Sequence, residues 1–170
     1  HLHFGLLTDY SDAPTQTMPG DAALLEAASL GIERLNQRYA QHSGEDIFFL
    51  FHRPRHWNAT QRSWIGFERK RGKLGELNAL LRGSGVERFE RIVGRLAPLR
   101  AVQYVITLDA DTELPRDAAR ALVAAMAHPL NRARFVARRG RVTEDYGIQQ
   151  PRVAASLPGA NRSRHARMHS

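Results

Sequence analysis

The sequence predicts a layered α/β fold with a mostly parallel central sheet and flanking helices. Two observations lead there. Short apolar runs alternate with amphipathic stretches in the order strand, helix, strand, helix, strand, helix, strand. The length of 170 residues, of which 42% are hydrophobic, fits one domain or a large piece of one and suffices to bury a core without staples.

Leu2 to Thr8 is a short apolar run that reads as a buried strand entering a polar loop, Thr8-Asp9-Tyr10-Ser11-Asp12. Ala13 to Gly20 carries Pro14, Pro19 and Gly20 and reads as irregular. Asp21 is placed to cap a helix from Ala22 to near Tyr39, because Leu24, Leu25, Ala28, Ile32 and Leu35 recur at helical spacing. Ile47 to His52 reads as the next buried strand, ended by Pro54, with a loop over Arg53 to Ser63. Leu74, Leu77, Leu80 and Leu81 make a helical stripe over Lys73 to Leu81, closed by Gly83, and Val86 to Val93 reads as a further short helix.

Val102 to Leu108 is the clearest strand by composition. Asp109 to Pro115 reads as a turn, Arg116 to Ala127 as an Ala-rich helix, and Asn131 to Arg141 as a basic loop. Ile148 to Val153 is the last strand expected, weakened by Pro151. The domain is expected over residues 1–154, with a polar, Arg-rich tail over 155–170.

The chain has no cysteine, which excludes disulfides and cysteine-ligated metals. No stretch approaches the ~20 apolar residues needed to span a bilayer, and the start, His1-Leu2-His3-Phe4, has neither Met nor a signal core, which suggests an excised or processed piece. The formal charge of +8 favours anionic partners, or simply a soluble basic surface.

Asp109 and Asp111 stand two apart beyond an apolar strand, where ligands of open α/β sheets bind, and Asp9 takes the same place after the first strand. On an extended chain two such carboxylates face one side and repel unless a cation intervenes. A hard divalent ion, Mg²⁺ or Mn²⁺, shared with substrate phosphates would resolve that repulsion. The plainer reading is a pair of solvated turn aspartates, with Asp111 helping to cap the following helix. Glu68-Arg69-Lys70-Arg71-Gly72-Lys73 could embrace a diphosphate, Gly72 permitting close backbone approach, or be a solvated basic loop.

Taken together, these segments resemble the glycosyltransferase domain of cyclic β-1,2-glucan synthases, relatives of the processive family-2 glycosyltransferases. The resemblance runs through most of the chain. It rests on Leu7-Thr8-Asp9, Phe48-Phe49-Leu50-Phe51-His52-Arg53-Pro54, Glu68-Arg69-Lys70-Arg71-Gly72-Lys73-Leu74, Leu77-Asn78-Ala79-Leu80-Leu81-Arg82-Gly83, Tyr104-Val105-Ile106-Thr107-Leu108-Asp109-Ala110-Asp111-Thr112 and Gln150-Pro151-Arg152-Val153. It implies a partial GT-A, Rossmann-like fold and transfer of glucose from UDP-glucose to a glucan acceptor. Asp9 would contact the uridine, Lys70 would approach the diphosphate, and Lys73 shares that loop. Asp109 would lie near the sugar nucleotide and Asp111 on the metal. The resemblance further implies a larger, membrane-bound parent protein, with this domain at the cytoplasmic face of a bacterial inner membrane.

Thr143-Glu144-Asp145 spells the motif that supplies the catalytic base in processive family-2 enzymes, but it follows Asp111 too closely, and Glu144 and Asp145 read as turn residues. A Gln-x-x-Arg-Trp acceptor motif is missing; Gln149-Gln150-Pro151-Arg152 does not replace it. The expectation is a piece that starts near the second strand of the fold and stops before the base, holding donor-site residues without a full catalytic apparatus.

Rival chemistries have weaker support in the residues. His52 and His56 are four apart, but Pro54 between them argues against a metal-binding helix. Trp57 and Trp64 could stack on a sugar or pack under a loop, and Asn58-Ala59-Thr60 and Asn161-Arg162-Ser163 match the glycosylation pattern. A haloacid-dehalogenase-type phosphohydrolase also puts Asp-x-Asp after a strand, but wants Thr or Val where Glu113 stands and usually opens its domain with that pair. A nucleic-acid-binding module would explain the arginines, yet no helix-turn-helix, zinc-finger or RNA-recognition signature is present; nucleic acid is not the partner expected.

Overall fold

The computed structural model describes residues 2–39 and 44–151. It contains two units, residues 1–103 and 104–170.

In the first unit, strand β1 (Phe4–Asp9) leads through a loop to helix α1 (Asp21–Tyr39), which returns the chain to strand β2 (Phe48–Arg53). β2 lies parallel to β1, from Phe4↔Phe48 to Asp9↔Arg53. The strand-helix-strand expectation holds here, within two residues at each boundary. β2 is the centre of the unit because its sequence is apolar on both faces. Phe49 and Phe51 pack with Leu80, Phe89 and Leu99 on one side, while Leu50 packs with Tyr10, Leu25 and Ile32 on the other. Burying Leu25, Ser29 and Ile32 keeps one stripe of α1 on the sheet.

Both ends of the crossover are latched. At one end the Arg55 guanidinium donates to the Asp21 carboxylate and to the Ser11 and Gln16 carbonyls. Asp21 therefore does not cap the helix it opens: it accepts from Arg55 and from the Met18 N–H at 2.7 Å. At the other end Asn36 accepts from the Ile47 and Phe48 N–H groups at 3.0 and 2.9 Å and donates to the Phe48 carbonyl at 2.8 Å.

The expected loop from Arg53 to Ser63 contains a hairpin. β3 (His56–Asn58) pairs antiparallel with β4 (Ser63–Ile65), with Trp57 opposite Trp64. Helix α2 then runs Arg69–Leu81, beginning four residues earlier than its leucine stripe suggests. It ends as expected at Gly83, whose φ of 87° allows a Schellman closure with Ser84 N–H on the Ala79 carbonyl and Gly83 N–H on that of Leu80.

The helix expected over Val86 to Val93 is instead a 3-10 turn, Val86–Arg88, and strand β5, Arg91–Val93. After α2 the chain returns to the carboxyl end of β2, where Glu90 N–H meets the His52 carbonyl at 2.9 Å. β5 therefore enters from that end and runs antiparallel to β2, giving the order β1-β2-β5. The fold is mixed α/β, but a mostly parallel sheet is not what the described residues form.

Residues 102–108 form no strand. Tyr104, Val105, Ile106 and Leu108 are exposed, and no strand among the described residues pairs with them. Strand-favouring side chains do not make a strand without a ladder for their backbone groups.

The second unit holds helix α3 (Ala118–Ala127) and an antiparallel hairpin of β6 (Arg134–Val136) and β7 (Arg141–Glu144). The hairpin replaces the basic loop expected over Asn131 to Arg141. Ile148 to Pro151 is not a strand, and the remainder of that expected element, with the tail at 155–170, lies outside the described residues.

Candidate functional site

Asp9 ends β1, where its carboxylate is met by Arg53 of β2, Lys73 of α2 and the turn at Gly66. Paired register sets Asp9 beside Arg53, the last residue of β2. Arg53 is 1% exposed, and a buried guanidinium must place all five of its N–H groups. Nε donates to Asp9 Oδ1 at 2.7 Å and Nη2 to Asp9 Oδ2 at 3.1 Å, a bidentate fork. Nη1 donates to Glu76 Oε2 at 2.9 Å and to the Phe67 carbonyl at 3.1 Å; Nη2 also reaches the Arg69 carbonyl at 3.3 Å. Burial works against the Arg53 charge, but the hydrogen bonds to Asp9 and Glu76 outweigh it and hold its pKa above the usual arginine value.

α2 supplies the second cation. Lys73 Nζ lies 3.5 Å from Asp9 Oδ2 and is 25% exposed, so it borders the same carboxylate from the solvent side. Lys70, one turn earlier, is exposed. The sequence resemblance gave Lys70 the clearer role; the structure brings Lys73 to Asp9 as well. The Asp9 side chain itself is 14% exposed.

The backbone entering α2 is tight. Glu68 and Arg69 both have left-handed φ, 49° and 50°, which costs on the order of 1–3 kcal/mol per residue outside glycine. Their neighbours explain why the turn is tolerated. Arg53 ties down the carbonyls of Phe67 and Arg69, Arg69 N–H meets the Gly66 carbonyl at 2.9 Å, and the Arg69 side chain bridges Asp12 and Gln61. Two glycines are required by space. A Cβ on Gly72 would meet the Phe67 carbonyl oxygen at 2.1 Å, and one on Gly66 would meet Asp9 Oδ2 at 2.7 Å. Gly72 thus serves close packing within the chain, with Phe67 the backbone it admits.

Behind Asp9, His52 is buried, with Nδ1 2.8 Å from Thr8 Oγ1 and its ring edge-on to Tyr10. Burial lowers the His52 pKa, against the carboxylates of Glu90, Asp9 and Asp21. His56 lies across Pro54 on β3, edge-on to Phe67 rather than beside His52. Trp57 and Trp64 form a cross-strand pair with centroids 5.9 Å apart, and Trp57 remains half exposed.

Asp109 and Asp111 belong to the second unit. They occupy the first and third positions of a turn closed by Thr112 N–H on the Asp109 carbonyl at 3.0 Å, and both are exposed. The turn, rather than an extended strand end, sets their side-chain directions. Asp111 does not cap the next helix, which begins at Ala118 behind Asp117. Glu144 ends β7 and pairs with Arg134 at 3.1 Å; Asp145 follows with a left-handed φ of 59°. Glu144 is therefore a strand residue, and Asp145 is the turn residue expected.

Sequence reasoning missed Arg53 as the organiser of this end of the sheet. The available signal was Glu76, an acid spaced four residues from Gly72 and from Leu80 on the stripe of α2 that faces inward. A buried carboxylate on such a stripe requires a cation.

No protein-family model matches the chain. It is, however, 44% identical over 156 residues to the cyclic β-(1,2)-glucan synthase NdvB of Rhizobium meliloti (strain 1021). The match covers 92% of this chain and 5% of that protein. Every segment through Gln150 that carries the sequence resemblance lies among the described residues. The chain is therefore related to a cyclic β-(1,2)-glucan synthase, of which it spans about one twentieth of the length.

Proposed function

We propose that the chain carries the donor-binding part of a glycosyltransferase that uses UDP-glucose to extend a glucan, within a larger membrane-bound synthase. The observation that carries this reading is the Asp9 carboxylate, fixed at the carboxyl end of a parallel strand pair with Lys73 3.5 Å away. A carboxylate offers about four lone-pair directions, and the fork from Arg53 uses two. Asp9 can therefore still accept an N–H from a uracil ring. Lys73 and Lys70 bring positive charge for the diphosphate, where charge develops as the glucosyl group leaves.

Asp109 and Asp111 are assigned to Mg²⁺ or Mn²⁺. What supports this is the chemistry of the pair: two exposed carboxylates in one short turn would offer hard oxygen ligands, the remaining positions going to phosphate oxygens and water. The ion would neutralise charge on the departing diphosphate. The base that takes the acceptor proton is assigned to no residue of this chain, so the chain alone is expected to bind donor without turnover. Relatedness to a synthase does not favour the phosphohydrolase or nucleic-acid readings. No described helix is long and apolar enough to cross a membrane.

The test is calorimetric titration with UDP and UDP-glucose, with and without Mn²⁺, on the parent chain and on Asp111→Ala. Metal-dependent binding in the parent and its loss in the variant are expected. Binding unaffected by metal, or absent from the folded parent, would overturn the assignment.

A further inference from the structure

The charged groups buried at the carboxyl end of β2 deepen the donor-site reading, and the role inferred for them rests on it. Arg53 does more than neutralise Asp9. Its five N–H groups meet five acceptors that come from three separate places: the end of β1, the Gly66–Arg69 turn, and the inner face of α2. The two carbonyls it holds flank the consecutive left-handed residues Glu68 and Arg69. Strained turns of this kind persist only where surrounding contacts over-determine them. α2, which carries Lys70 and Lys73, begins from that turn.

We propose that Arg53 is a positioning residue for donor binding: one buried fork sets the acid that meets the base against the helix that meets the diphosphate. Arg53 is enclosed, 1% exposed, with its N–H groups directed at acceptors within the chain. Its effect passes through the orientation of Asp9 and the placement of the first turn of α2. A lysine at this position keeps the charge, but its three donors on a flexible stem cannot reproduce the planar five-donor pattern. Charge alone is therefore not sufficient.

The experiment compares UDP affinity and melting temperature in the parent chain, Arg53→Lys, and the charge-balanced Arg53→Ala/Glu76→Gln variant. Removing Glu76 together with Arg53 avoids leaving an extra uncompensated buried acid. The expected result is a loss of at least roughly tenfold in UDP affinity in both folded variants. Added guanidinium ion should partly restore binding in the alanine variant, and sodium chloride at equal ionic strength should not. A merely structural role would lower the melting temperature while leaving UDP affinity of the folded protein unchanged and guanidinium without effect; that result overturns the proposal. Should the alanine variant fail to fold, Arg53→Lys decides by its affinity. If the folded parent chain does not bind UDP, the donor-site reading fails and this inference falls with it; if the parent binds and the variants match it, only this inference fails.

Discussion

Gly66→Ala is a small change whose cost can be worked from the site. The new methyl would lie 2.7 Å from Asp9 Oδ2, 2.8 Å from its Cγ and 3.1 Å from its Cβ. Ordinary contacts for such atoms begin near ~3.5 Å, so the Asp9 carboxylate must move or the backbone must. Neither is free. The carboxylate is held by Arg53 at 2.7 and 3.1 Å and bordered by Lys73 at 3.5 Å. The Gly66 carbonyl meanwhile accepts from Arg69 N–H. Overpacking of this kind costs about 1–3 kcal/mol. Losing one arm of a hydrogen-bonded charge pair costs about 1.5–3 kcal/mol more. We expect roughly 2.5–6 kcal/mol of destabilisation, read as a lower urea midpoint by circular dichroism. The cycle with Asp9→Ala isolates the cause: with the carboxylate gone only the 3.1 Å contact with the Cβ at position 9 remains, and the second substitution should cost clearly less than it does in the parent. A Gly66→Ala protein as stable as the parent, or an equal penalty in the Asp9→Ala background, would refute the reasoning.

Two further outcomes are expected. Lys73→Met should weaken UDP binding more than Lys70→Met in parallel calorimetric titrations, because Lys73 borders the Asp9 carboxylate; a larger loss from Lys70→Met would reverse the assignment. His52 makes stability depend on pH. Its folded-state pKa lies below the ordinary value of 6.5, with burial the leading cause, so below that pH the unfolded chain binds the extra proton more readily. Stability is thus full above about 6.5 and falls as the pH drops below it toward the folded-state value. Urea midpoints measured across this range should fall with acid in the parent, and less in His52→Gln.

The parts of the fold legible in sequence were those whose signal is local and long enough to be periodic. α1 shows an apolar stripe over five turns, and β2 opens with four successive apolar residues, Phe48 to Phe51, because both its faces are covered. The short strands β3, β4, β6 and β7 are too brief to show alternation, and they lie among polar and basic residues that resemble loop. Residues 102–108 fail in the opposite sense: composition favours a strand, but strand formation also needs a neighbour, which composition does not report. The site divides the same way. Asp9 was legible as an acid at the end of an apolar run. Arg53 was not, because a basic residue ending a strand ordinarily reaches solvent. Its burial follows from Asp9 beside it and Glu76 on a helix 23 residues later in the chain. Asp109 and Asp111 were legible as a pair, whereas the turn that orients them is set by a backbone bond to Thr112.

Asn36 acts as a borrowed backbone. Its amide group takes and gives the hydrogen bonds that a neighbouring peptide unit would have offered to Ile47 and Phe48. Since β2 is thereby aligned by the helix before it, the stretch of chain joining them is released from setting the alignment. The strand, and with it the Asp9–Arg53 pair at its far end, takes its register from that one amide.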